Sequence, residues 1–216
     1  MNRNTQLRID GDSAVFRQST GLEFSLDLKE FPDLVEAHRA NVKATENTKS
    51  TQICERLGAE VLDKDFDWKY LEPFIRDVCR WGGFAGVGGR VVKNNSRDLI
   101  TGCFIAARDL MLRDKLDIEN ALQKINKIKG LGTPSFASKH LRFLWPEFCP
   151  VLDSHTTRLG YDFTPSGYAE FAEDCGALAR ALTAREIENP VPWRQGQWFV
   201  GEVDMALFAW LRGWKK

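Results

Sequence analysis

The feature that most constrains this chain is a two-glycine turn between two helical patterns, Lys129-Gly130-Leu131-Gly132-Thr133-Pro134. Ahead of it, Asp117–Lys129 places Leu122, Ile125 and Ile128 at helical spacing. Behind it, Thr133 suits an N-cap, Pro134 suits the first helical position, and the pattern runs on to about Trp145. Glycine lets the turn adopt positive φ. Two helices so joined form a helix-hairpin-helix, whose turn amides and following helix N-terminus face outward and favour an anion such as a nucleic-acid phosphate. The plain alternative is an ordinary helix–helix turn.

The rest of the chain reads as mainly α. Residues 1–30 alternate polar and apolar, with Leu7, Ile9, Val15, Leu22, Phe24 and Leu26 broken by Gly11-Asp12 and Gly21, which predicts a small N-terminal β-hairpin-like extension. Residues 31–216 read as one helical unit. Phe31–Val61 is helical with a polar middle, and Trp68–Trp81 is helical through Leu71, Phe74, Ile75 and Val78. Ser96 caps a helix over Asp98–Arg113 with Leu99, Cys103, Ala106 and Leu110 inward. Phe163–Thr183 is amphipathic, and Trp198–Trp214 is a last, very apolar helix. Gly82–Asn95 is glycine-rich; it follows a helix rather than a strand, so it reads as a surface loop whose Arg90 and Lys93 touch phosphate, not as a nucleotide-binding turn.

Charge narrows the partners. Lysine plus arginine balance aspartate plus glutamate at 30 each, so attraction to nucleic acid must be local. Such a patch exists: between Asn120 and Pro146 stand Lys124, Lys127, Lys129, Lys139 and Arg142, with no acidic residue. The five cysteines form no C-x-x-C pair, so no metal or other cofactor is expected. No apolar run reaches the roughly 20 residues of a membrane span. The polar start, MNRNTQLRIDGDS, lacks a signal-peptide core, so a cytoplasmic protein without membrane contact is expected.

Beyond the second hairpin helix comes Cys149-Pro150-Val151-Leu152-Asp153-Ser154-His155-Thr156-Thr157-Arg158, an apolar strand-like segment that delivers Asp153 to a short helix. Together, I-K-G-L-G and P-V-L-D-S-H-T-T-R resemble the helix-hairpin-helix DNA glycosylase superfamily, in its 8-oxoguanine glycosylase branch. From Gly132 to Asp153 is 21 residues, the spacing seen in those enzymes. The chain is also similar to archaeal 8-oxoguanine glycosylases and to bacterial proteins of the same fold found near antiviral defence genes. It departs from the bifunctional members at Thr133-Pro134-Ser135, where they carry a lysine directly after the hairpin; the candidate here is Lys139.

The resemblance implies a helix-hairpin-helix glycosylase fold and excision of a flipped-out base from double-stranded DNA. The base would be oxidised, such as 8-oxoguanine, or a hypermodified phage base removed in antiviral defence. Lys129, Gly130, Leu131, Gly132 and Thr133 would hold the DNA backbone. Asp153 would stabilise the oxocarbenium-like sugar and help activate the nucleophile; its plain alternative is an N-cap. Lys139 would attack C1′ as a neutral amine and form a Schiff base, with lyase activity, which requires a lowered pKa from burial or from the neighbouring His140 and Arg142; its alternative is a phosphate contact or a solvated lysine. Asp204 and Phe208, four apart on the last helix, would line the base pocket with Phe136; for Phe208 the alternative is core, and Trp210 and Trp214 read as core. His38 and His155 receive no role, and adjacent Asp153, Ser154 and His155 cannot form a hydrolase relay. A non-catalytic DNA- or nucleotide-binding module with the same fold is the competing reading; a helical scaffold with an incidental turn leaves the basic hairpin and P-V-L-D unexplained together.

Overall fold

The N-terminal alternation becomes a three-stranded antiparallel sheet of β1 (Thr5–Asp10), β2 (Ser13–Gln18) and β3 (Glu23–Asp27), adjacent in chain order. A computed structural model describes residues 5–43, 50–132 and 134–214. The sheet turns Ala14, Phe16 and Leu26 into the same core that the helices share. It also supports a distant loop: Thr5 Oγ1 donates to the Leu159 carbonyl at 3.0 Å, and Gln18 Nε2 to that of Arg158 at 2.7 Å.

Helices follow as α1 (Phe31–Lys43), α2 (Thr51–Asp63), α3 (Trp68–Trp81), α4 (Ala85–Asn94), α5 (Arg97–Met111), α6 (Ile118–Asn126), α7 (Pro134–Leu144), α8 (Pro165–Ala184) and α9 (Val200–Leu211). The protein is thus mainly α with a small sheet. Their starts are chemically marked, because each cap's side-chain oxygen accepts an amide left free in the first turn. Ser50, Asp67, Ser96, Asp117 and Thr164 all do so. Thr133, the expected cap of α7, lies outside the described residues.

Two helices are buried almost all round. On α9 only Phe208, Trp210 and Leu211 are partly exposed. On α7 every residue except Ser135 and Phe136 is buried, including Lys139, His140 and Arg142. Space for α7 is made by Gly58 on α2: a Cβ there would collide with the Phe143 carbonyl oxygen.

The structure corrects three expectations. Gly82–Asn95 is not a loop; most of it is α4, which lies so close to α3 that a Cβ on Gly88 would come within 2.8 Å of Arg76 Cα. The inward face of α5 is Ile100, Cys103, Phe104, Ala107, Leu110 and Met111, while Leu99 stands 45% exposed and Ala106 is only partly covered. The segment 150–153 runs without strand pairing rather than joining a sheet.

Two glycines with opposite surroundings test this packing. Gly58→Ala should lower the unfolding free energy by roughly 2–3 kcal/mol, as overpacking does, whereas Gly102→Ala, with nothing within 4 Å of its new methyl, should be neutral or raise it by up to ~1 kcal/mol through helix propensity. Urea melts of the two variants measure both, and equal effects would contradict the α2–α7 contact.

Candidate active site

The hairpin turn is anchored from two sides. Leu131 is buried, and the Asn95 amide clamps the turn to α4, its Nδ2 donating to the Lys129 carbonyl at 2.9 Å while its Oδ1 accepts from Lys129 N at 3.0 Å. Gly130 sits at φ +99°, with Val91 Cγ2 only 2.9 Å from where a Cβ would be. The amides of Lys129 and Leu131 therefore do not face outward, since the latter donates to the Ile128 carbonyl at 2.9 Å. Gly130 and Gly132 are the turn positions whose amides these bonds leave unused.

The expected five-cation patch is smaller. Lys127 and Lys129 are exposed and Lys124 partly so, and Arg90 and Lys93 are exposed on the neighbouring α4. Arg142 instead is wholly buried in an ion network: its guanidinium donates to Glu55 Oε1 at 2.5 Å and lies 3.6 Å from Glu202, and Arg194 reaches the same two carboxylates at 2.8 and 2.9 Å.

Lys139 is buried as well, at 7% exposure. Its stem lies against Gly82, where a Cβ would be 3.1 Å from Cδ and Cε. Nζ donates to Ser135 Oγ at 2.7 Å and to the Ser135 carbonyl at 3.1 Å, and stands 5.5 Å from the Phe136 ring centre. Burial holds the ammonium below the ordinary lysine range, against the opposing charge of Asp153 and Asp204. The expected help from neighbouring cations is absent: His140, enclosed by Phe74 and Phe104, is pushed down to about 4 by burial and is uncharged near neutrality.

Asp153 is brought to Lys139 by a bond the sequence did not reveal. Ser138, the residue before Lys139, accepts the amide of Leu152, the residue before Asp153, at 3.1 Å. Asp153 is half-buried; its Oδ1 accepts the amides of His155 at 2.8 Å and Thr156 at 3.1 Å, and Thr156 Oγ1 accepts the Asp153 amide at 2.9 Å. Asp153 is not the N-cap of the short 3-10 helix Thr156–Leu159, which is His155; its Oδ1 closes the turn ahead of it, and that fixes the carboxylate without consuming Oδ2 in these bonds.

Asp204 reaches the same place from α9. It is 5% exposed, accepts a backbone bond from Val151, and leaves Oδ1 without a hydrogen-bond partner. Burial, reinforced by the charge of Asp153, pushes its carboxyl up to about 8, although Arg142 and Lys139 pull it down. One turn on, Phe208 meets His155 edge-to-face at 5.2 Å, His38 at 5.7 Å and Trp214 at 5.4 Å. His38 also packs against Trp81 at 6.4 Å, the residue before the glycine that touches Lys139. His155 Nε2 lies 3.3 Å from the Arg212 guanidinium. Phe136 is set at the edge of this group, with the exposed ring of Phe84 at 5.5 Å.

The structure thus gathers Lys139, Asp153, Asp204 and Phe208, and adds Ser138, His38, Trp81 and His155. Trp210 sits apart, against Phe16 and Phe24 of the sheet. A groove of about 940 Å³ lies elsewhere, between α6, α8 and the start of α9. Among the described residues, no group of three or more His, Cys, Asp or Glu is arranged to hold a metal ion, and no helix is long and apolar enough to cross a membrane.

The raised Asp204 carboxyl has a signed consequence. Unfolded, it ionises near pH ~4; folded, it keeps its proton until about 8. Between those limits the folded chain binds the extra proton, so stability falls as pH rises. Asp204→Asn should therefore leave stability near pH 4 little changed and raise it near pH 8 by on the order of a few kcal/mol; a difference curve from denaturant melts across that range measures it, and a flat curve contradicts the burial argument. No protein-family model matches this chain, and neither a curated protein nor a solved structure was found to be similar to it.

Proposed function

We propose that the protein is a helix-hairpin-helix DNA glycosylase with lyase activity, in which α6, the Gly130–Gly132 turn and α7 form the hairpin. The observation that carries this reading is the buried Lys139 amine, its pKa lowered by desolvation, lying within electrostatic reach of Asp153 and Asp204. A neutral amine is the form that attacks an anomeric carbon. Lysines on protein surfaces keep their proton near neutrality; this one is built to lose it more easily.

The roles follow from position. Lys139 attacks C1′ of the flipped nucleotide as the bond to the base breaks, the base leaving with the bonding electrons. Asp153, fixed by the amides of His155 and Thr156, offers its negative charge to the sugar while that sugar is electron-poor. Phe208 provides an aromatic wall for the flipped base, and Asp204 a hydrogen-bonding edge. The exposed Lys127 and Lys129, with the amides of Gly130 and Gly132, take the phosphate backbone. The substrate is an oxidised base such as 8-oxoguanine, or a modified phage base.

A second reading, a DNA-binding module without chemistry, is favoured by one observation: Lys139 is tied down by Ser135 and largely closed off from solvent. It predicts salt-dependent binding without base release.

Borohydride trapping on duplexes bearing 8-oxoguanine or other modified bases separates the two. The wild-type chain should form a covalent adduct, Lys139→Gln should form none, and Asp153→Asn should slow excision at least ~100-fold, as loss of a transition-state charge does. Binding without adduct or base release across the panel, or full activity in Asp153→Asn, would refute the enzyme assignment.

A further inference from the structure

His38 lies on α1, far from the hairpin in sequence, yet its imidazole is 4% exposed and its Nδ1 has no hydrogen-bond partner. Asp204 Oδ1 is orphaned in the same way. A buried polar atom without a partner costs ~1–3 kcal/mol, and folded proteins leave few of them. His38 meets the Phe208 ring edge-to-face, and Asp204 precedes Phe208 by one helical turn on α9, along which α1 packs. The other neighbours of His38 are flat and aromatic, Trp81 and Trp214.

We propose that His38 is a specificity-determining residue that, together with Asp204, hydrogen-bonds one edge of a planar nucleobase held against Phe208. This rests on the reading of the pocket as a base-excision site. The physical reason is complementarity. A neutral imidazole carries one donor and one acceptor. A carboxyl that titrates near neutrality accepts when ionised and donates when protonated. A heterocycle with donor and acceptor side by side satisfies both orphans at once, and an apolar ring of the same shape leaves them unmet. Burial keeps the imidazole uncharged, down to about 3, so it recognises dipoles rather than a phosphate. A site that holds buried polar groups for a ligand's polar edge discriminates strongly against analogues lacking that edge.

The test uses the whole chain and free bases, followed through its tryptophan fluorescence, to which Trp81 and Trp214 beside His38 contribute. Guanine and 8-oxoguanine are the probes, and indene is the apolar control. At least one of the two bases should quench saturably. His38→Phe should weaken that binding about tenfold, the worth of one hydrogen bond, and His38→Gln should recover part of it. In the wild-type chain the ¹⁵N shift of His38 Nδ1 should move on adding the base, which decides the matter even where His38→Phe does not fold. Indene binding as tightly as the bases, an unmoved Nδ1 shift at saturation, or no quenching by either base would overturn the proposal. Trapping on a duplex with a preformed abasic site keeps the two ideas apart, because that substrate has no base to read. The wild-type chain should trap it. Base binding that depends on His38 without any abasic-site adduct would refute the lysine chemistry and support His38 as the reader.

Discussion

The buried network of Arg142 with Glu55, Arg194 and Glu202 is the interaction on which the site depends. Arg142 comes from α7, three residues after Lys139, and Glu202 from α9, two residues before Asp204. Glu55 brings α2, and Arg194 brings the turn ahead of α9, where Trp193 Nε1 also donates to Glu55 at 3.0 Å. Gly201 lets α9 close on the guanidinium, since a Cβ there would be 3.0 Å from Cζ. Burial alone would raise the Glu55 carboxyl, but Arg142 and Arg194 hold it below its ordinary value. Such a cluster contributes little net stability compared with apolar packing, but removing one member leaves a buried charge unpaired and costs several kcal/mol. Here it ties α7, α2 and the start of α9 together beside Lys139 and Asp204.

That arrangement creates the electrostatic character of the site. Lys139 and Asp204 are pushed by burial toward their neutral forms, while each one's charge draws the other back toward ionisation. Asp153 acts on both, favouring the charged lysine and the protonated Asp204. A lysine and a carboxyl that both titrate away from their usual ranges, beside the half-buried Asp153, mark this group as a functional-site candidate. The wide groove by α6 and α8 has volume but none of these three groups, so the small site is the better candidate.

Much of the helical fold was legible because its local signals agree. Trp68–Trp81 and the long α8 carry strong periodicity, and Ser96 and Asp117 are caps whose bonds are present. α4 was not legible. Its glycines argue against a helix, yet Gly88 is required by the close approach of α3, so tertiary contact overrides local preference there. Leu99 misled for a related reason: near a helix start, periodicity alone does not fix which side meets the core.

The candidate residues were legible as types, and their grouping was not. Asp153 and Lys139 stood out by motif, but the Ser138–Leu152 bond that ties their segments together is invisible in a pattern of residues. Arg142 looked like a surface cation because its acidic partner on α2 lies 87 residues away. His38 looked inert because its neighbours, Trp81, Phe208 and Trp214, come from other helices and the chain's end. The common cause is that a charge or an imidazole takes its chemical meaning from what desolvates it, and desolvation is set by elements far apart in the chain. A lysine among lysines reads as a phosphate contact; the same lysine under Gly82 and beside two carboxyls is a candidate nucleophile.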